Sequence, residues 1–135
     1  MSNDFVRDLA LMHTKFGFNT TIREFDAEKL AKLLEFRIKF LDEELKETKK
    51  AAKEKKYDEV VDGLIDLIVV AVGTLDAFEV DSYRAWNVVH QANMTKERGI
   101  NESRPNELGL PDLIKPEGWQ APDHRTNIGL LEKLK

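Results

Sequence analysis

The sequence predicts an all-α bundle of about four main helices that ends in an irregular, proline-containing tail. Three observations carry this: apolar residues recur at helical spacing up to about residue 94, capping residues precede the periodic stretches, and all four prolines lie beyond residue 104. At 135 residues, 41% hydrophobic and 34% charged, the chain fits one domain, with a helical core over about 3–98 and an extended tail over about 99–135.

Phe5, Leu9, Met12 and Phe16 follow Ser2, Asn3 and Asp4, any of which can cap, so the first helix reads as ending at Gly17. Residues 18–25 read as a connector. Asp26 caps a long second helix with a core stripe of Leu30, Leu34, Ile38, Leu41 and Leu45, running toward the lysine-rich stretch 49–56. A turn near Lys55–Asp58 leads into a third helix, from about Asp58 to Phe78. Leu64, Ile65, Leu67, Ile68, Val69, Val70, Val72 and Leu75 make it apolar on nearly every side, which predicts the buried central helix. Asp81 or Ser82 caps a fourth helix that carries Tyr83, Trp86, Val89 and Met94 and stops at Gly99. The rest, with Pro105, Pro111, Pro116 and Pro122, is expected to be extended chain over the bundle or a partner subunit.

A net charge of -4 argues against a broad basic surface for nucleic acid. No apolar run suffices to span a bilayer, and the N-terminus lacks the basic-then-apolar layout of a signal peptide. The absence of cysteine excludes disulfides, thiolate zinc sites and cysteine nucleophiles, and fits a cytoplasmic location.

The chemistry concentrates in acids on the most apolar helix. At about 100° per residue, Glu59, Asp62 and Asp66 fall within roughly 60° of one another. No Lys or Arg occurs between Asp58 and Ser82, so counter-charge must come from a cation or from another helix, with Arg37 one candidate partner. On the second helix Glu43, Glu44 and Glu47 stand at i,i+3 and i,i+4 spacings. A short turn makes the two helices antiparallel and brings Glu47 level with Asp62–Asp66. Alone, the glutamates would read as a solvated face; opposed to the aspartates, they form a carboxylate cleft suited to Mg²⁺, or Mn²⁺ in its place. A di-iron bundle would need Glu-x-x-His pairs, and His13, His90 and His124 have no Glu three residues before them.

On the fourth helix Trp86, His90, Asn93 and Lys96 fall on one face, mixing an aromatic with groups that can touch a base or a phosphate. Phe16, Phe36, Phe40 and Trp119 are candidates for stacking a base, with core packing the competing reading. The lysines at 49, 50, 53, 55 and 56 suit a helix C-terminus through the dipole.

Glu43-Glu44-x-x-Glu47, Glu59-x-x-Asp62 and Asp62-Gly-Leu-Ile-Asp66-Leu with Gly73-Thr74 resemble the acidic signature of the MazG-like, all-α nucleoside triphosphate pyrophosphohydrolases. Val89-His90-Gln91-Ala92-Asn93-Met94-Thr95-Lys96 is similar to the helix that follows in short members, and Lys115-Pro116-Glu117-Gly118-Trp119 to their tail. One departure is visible. Aligned through Gly73-Thr74, the usual Glu-x-x-Asp pair would put its Glu at Gly63, and Asp62 stands in for it one position earlier.

The resemblance implies Mg²⁺-dependent hydrolysis of a (deoxy)nucleoside triphosphate to monophosphate and pyrophosphate by a homodimer or homotetramer. Glu44, Glu47, Asp62 and Asp66 would hold the metal, with Glu59 a further ligand, and Glu43 or Glu47 would take a proton from water. Asn93 and Lys96 would contact the triphosphate, with His90, Trp86 and Arg37 also on the substrate. A competing reading is a non-catalytic helical nucleotide-binding or adaptor protein with an acidic cleft.

Overall fold

A computed structural model describes residues 3–103 and 106–135; Ser2, a candidate cap, and Pro105 lie outside the described residues. It is about 65% helical with almost no sheet. The chain divides into two compact units, Met1–Ser82 with Ile128–Lys135, and Tyr83–Asn127.

In the first unit α1 spans Phe5–Phe16, where the Asp4 side chain accepts from the Arg7 N–H and Gly17 closes the helix at a left-handed φ of 74°. The expected connector is instead partly helical: α2 covers Phe18–Arg23 and buries Ile22. The 27-residue α3, Ala27–Lys53, is capped by the Asp26 carboxylate on the Lys29 N–H. After a turn through Lys55, itself left-handed at φ 60°, α4 runs from Tyr57 to Ala77.

Helices α3 and α4 pack antiparallel. Thr48 lies against Gly63, Arg37 bonds to Val70 and Thr74, and Leu30 shares a cluster with Ala77 and Phe78, so partners stand at similar distances from the turn. The seam on α4 is made of small residues: Gly63, Val70, Gly73 and Ala77 are its buried positions. This corrects the expectation of a buried central helix, because Val61, Leu64, Ile65, Ile68 and Leu75 are exposed. Helices α3 and α1 cover only part of its circumference, and an all-round apolar helix therefore keeps the rest of its surface outward. The α3 stripe is corrected likewise: Leu30 is buried and Leu34 and Leu41 half-buried, but Ile38 and Leu45 are exposed.

At the far end of the pair Ile22, Leu30, Ala77 and Phe78 form a buried apolar core. The end of the chain enters it. A 3₁₀ helix over Gly129–Leu134 brings Leu130, Leu131 and Leu134 against this cluster, anchored by the Leu130 N–H donating to the Phe78 carbonyl at 2.7 Å. The expected extended tail thus ends as a core element. None of the described helices is long and apolar enough to cross a membrane.

In the second unit α5 covers Ser82–Met94 and ends before the expected Gly99, since Glu97–Gly99 forms strand β1, paired antiparallel with β2, Asp112–Ile114.

Gly63 permits the close approach of α3 and α4: a Cβ there would overlap the Thr48 hydroxyl and stand 3.2 Å from the Thr48 Cβ. Gly63→Ala should therefore lower stability by about 1–3 kcal/mol from overpacking, despite a helix-propensity gain of up to about 1 kcal/mol. Denaturant unfolding checks this, and adding Thr48→Ala should return part of the loss.

Candidate functional site

The antiparallel register decides which acids meet. Glu44 and Glu47 on α3 stand at the height of Asp62 and Asp66 on α4. The Glu44 carboxyl is pushed above its ordinary value, first by desolvation, then by the charges of Glu47, Asp66, Asp62 and Glu43. That ordering identifies the acids that share one field. Glu44 and Asp66 are half-buried, while Glu43, Glu47, Glu59 and Asp62 are exposed. Glu59 stands apart at the start of α4, where it helps raise the pKa of the Lys56 ammonium. Glu43 likewise lies near Lys46, which is paired with Asp42 at 2.8 Å.

Arg37 is not the counter-charge. Its Nε donates to Thr74 Oγ1 at 2.9 Å and its Nη2 to the Val70 carbonyl at 3.0 Å, and burial lowers its pKa. The acids of Glu44, Glu47, Asp62 and Asp66 form no ion pair among the described residues. Nor, among those residues, do three acidic or histidine side chains converge tightly enough to hold a metal ion. Long carboxylate side chains of like charge spread apart, and the repulsion felt by Glu44 is the same effect. The donor set, all carboxylate oxygen and unneutralised, fits a hard divalent cation.

A linkage prediction follows. A carboxyl whose folded pKa is raised costs stability at neutral pH, and that cost disappears as pH falls through the raised value toward 4.5. Glu44→Gln should raise the melting temperature of the metal-free protein at pH 7, with little difference from the parent below about pH 4. Thermal melts across pH check the direction.

Beside the acids opens a cavity of about 740 Å³, lined by Phe16, Phe18, Phe36, Phe40 and Met12, with Glu44 and Asp66 also on its wall. Phe36 and Phe40 meet edge to face at 6.3 Å, and the Arg37 guanidinium lies 5.8 Å from the Phe40 ring centre. His13 belongs to the same wall. It is 1% exposed, its Nδ1 lies 2.7 Å from Asp76 Oδ2, and Phe18 packs 4.9 Å from its ring. Gly73 makes room for both polar groups: a Cβ there would stand 2.8 Å from Arg37 Nη2 and 3.4 Å from His13 Nε2.

Reading the sequence missed the His13–Asp76 pair. The available signals were a histidine on the apolar stripe of α1 and an acid without a basic neighbour near the end of α4.

In the second unit Trp86, His90 and Asn93 are exposed on α5, while Lys96 lies past its end in a turn. Trp119 is a staple there. Its Nε1 donates to the Ala92 carbonyl at 2.8 Å, and Lys96 and Lys115 lie 5.3 and 5.2 Å from its ring centre. Lys96 thus lies just beyond α5, beside the Trp119 ring.

A protein-family model described as phosphoribosyl-ATP pyrophosphohydrolase matches residues 18–93, which spans both acidic rows and most of α5. No curated protein matches the chain.

Proposed function

From the premise that the chain belongs to the phosphoribosyl-ATP pyrophosphohydrolase family, within the MazG-like all-α nucleotide pyrophosphatases, we propose that it is a Mg²⁺-dependent nucleoside triphosphate pyrophosphohydrolase. The family is one of pyrophosphohydrolases and is generally metal-dependent. The observation that carries the finer reading is the shared field of Glu44, Glu47, Asp62 and Asp66, two of which, Glu44 and Asp66, line an aromatic cavity.

Those four carboxylates would hold Mg²⁺, with Mn²⁺ an alternative and Glu59, set apart near Lys56, a weaker contributor. The ion supplies neutralisation of phosphate charge and acidification of the attacking water. The aromatic cavity takes the nucleoside, and Arg37 offers donors to it. Glu47, or Glu43, removes the proton as the water oxygen bonds to the α-phosphorus of the α–β anhydride. The bond from that phosphorus to the bridging oxygen breaks, and pyrophosphate leaves. On the resemblance alone, Asn93 and Lys96 are proposed as phosphate-binding groups of the second unit, with His90 and Trp86 as further candidates.

The exposed Val61, Leu64, Ile65 and Ile68 favour a homodimer or homotetramer, since a monomer rarely leaves a contiguous apolar face of this kind in water. A cytoplasmic location suits such an enzyme.

Excess chelator should abolish pyrophosphate release while helical circular dichroism stays largely intact, because the acids border a cleft and do not hold the core. Restoring Mg²⁺ should restore turnover. Turnover that persists in chelator would remove the metal from the mechanism.

A further inference from the structure

The hydrolytic reading leaves the His13–Asp76 pair without a task, although its histidine is among the most buried side chains of the first unit. Asp76 lies ten residues beyond Asp66 on α4, about 15 Å along the helix at 1.5 Å per residue. A nucleotide extended from its phosphates to its base can cover that interval. The cavity that has Glu44 and Asp66 on its wall includes His13 there as well.

A carboxylate only accepts hydrogen bonds, so the 2.7 Å contact places the hydrogen on His13 Nδ1. In the neutral imidazole Nε2 is then an acceptor. It forms no hydrogen bond among the described residues. The Arg37 guanidinium packs against the same Gly73 and still has donors beyond those given to Thr74 and Val70. The cavity wall therefore offers one fixed acceptor near fixed donors.

The geometry points to His13 as the group that reads the hydrogen-bonding edge of the nucleobase, and to Asp76 as the positioning residue that sets its tautomer. A base N–H donates to Nε2 while Arg37 donates to a neighbouring carbonyl oxygen or ring nitrogen. Exchanging an amino group for a keto group on the base reverses donor and acceptor at that edge, and a buried mismatch is strongly disfavoured. This rests on the cavity being the nucleoside pocket, and it requires neither metal nor turnover.

The test uses the whole 135-residue chain, metal-free, with nucleoside 5′-monophosphates in two pairs: cytosine with uracil, and adenine with hypoxanthine. Within at least one pair the parent should bind one member about 10-fold more tightly. Asp76→Asn keeps the shape, but an amide can donate or accept, so the tautomer is no longer imposed. The ratio should collapse toward unity, and ¹⁵N spectra of the His13 ring should change from an Nδ1-protonated pattern to a mixture. If Asp76→Asn does not fold by circular dichroism, His13→Gln, which offers both a donor and an acceptor, should flatten the ratio in the same way. An unchanged ratio in a folded variant, or a bound nucleotide that leaves the Nε2 resonance unmoved, overturns the proposal. Tight, discriminating binding without any hydrolysis would support it while removing the catalytic reading.

Discussion

Asp66→Asn is expected to lower the rate of pyrophosphate release on the order of 10²-fold or more, with the fold intact. Asp66 is half-buried on α4, lines the aromatic cavity and adds to the field that raises the Glu44 carboxyl. The amide keeps the shape and removes one of the charges that would balance a divalent cation against the triphosphate. A loss of that size is about 2.7 kcal/mol in the barrier, more than an exposed ion pair supplies. The check is steady-state turnover over a Mg²⁺ titration, with circular dichroism as the folding control. A near-normal rate would show that the acidic row is a solvated face.

The second large effect separates Asp62 from Glu59. Gly63, at the position where the family pattern expects a glutamate, is pressed against Thr48 and has no space for a side chain. Asp62, one residue earlier, is among the charges felt by Glu44, whereas Glu59 acts on Lys56 at the start of the helix. Asp62→Asn should weaken Mg²⁺ activation nearly as much as Asp66→Asn, raising the Mg²⁺ concentration needed for half-maximal rate by about 10-fold or more. Glu59→Gln should do much less. The reverse ranking would mean that Glu59, not Asp62, completes the site.

Helix existence and ends were legible where local chemistry decides them: Asp4 and Asp26 cap, Gly17 stops α1, and the break before α4 lies where the lysines gather. The short α2 was not, because Thr20, Thr21 and Ile22 lack a helical stripe and its formation rests on the burial of Ile22. Burial on α4 was also hidden. Its large apolar residues dominate any pattern, yet the seam runs through Gly63, Gly73 and Ala77, whose value lies in being small. The acidic rows were readable because i,i+3 and i,i+4 spacings and an antiparallel turn suffice to oppose them. The His13–Asp76 pair was not, since 63 residues separate its members and neither carries a local motif. The 3₁₀ helix at the chain end escaped for the same reason: Leu130, Leu131 and Leu134 reach the core through a contact with Phe78 far back in the sequence.

The most direct measurement of the central claim is ³¹P NMR of the products formed from a panel of ribo- and deoxyribonucleoside triphosphates, with phosphoribosyl-ATP included, in Mg²⁺ and again in excess chelator. At least one triphosphate should yield its monophosphate and pyrophosphate in equal amounts, in Mg²⁺ alone. Release of orthophosphate with a nucleoside diphosphate, the same products in chelator, or no turnover across the panel would contradict it.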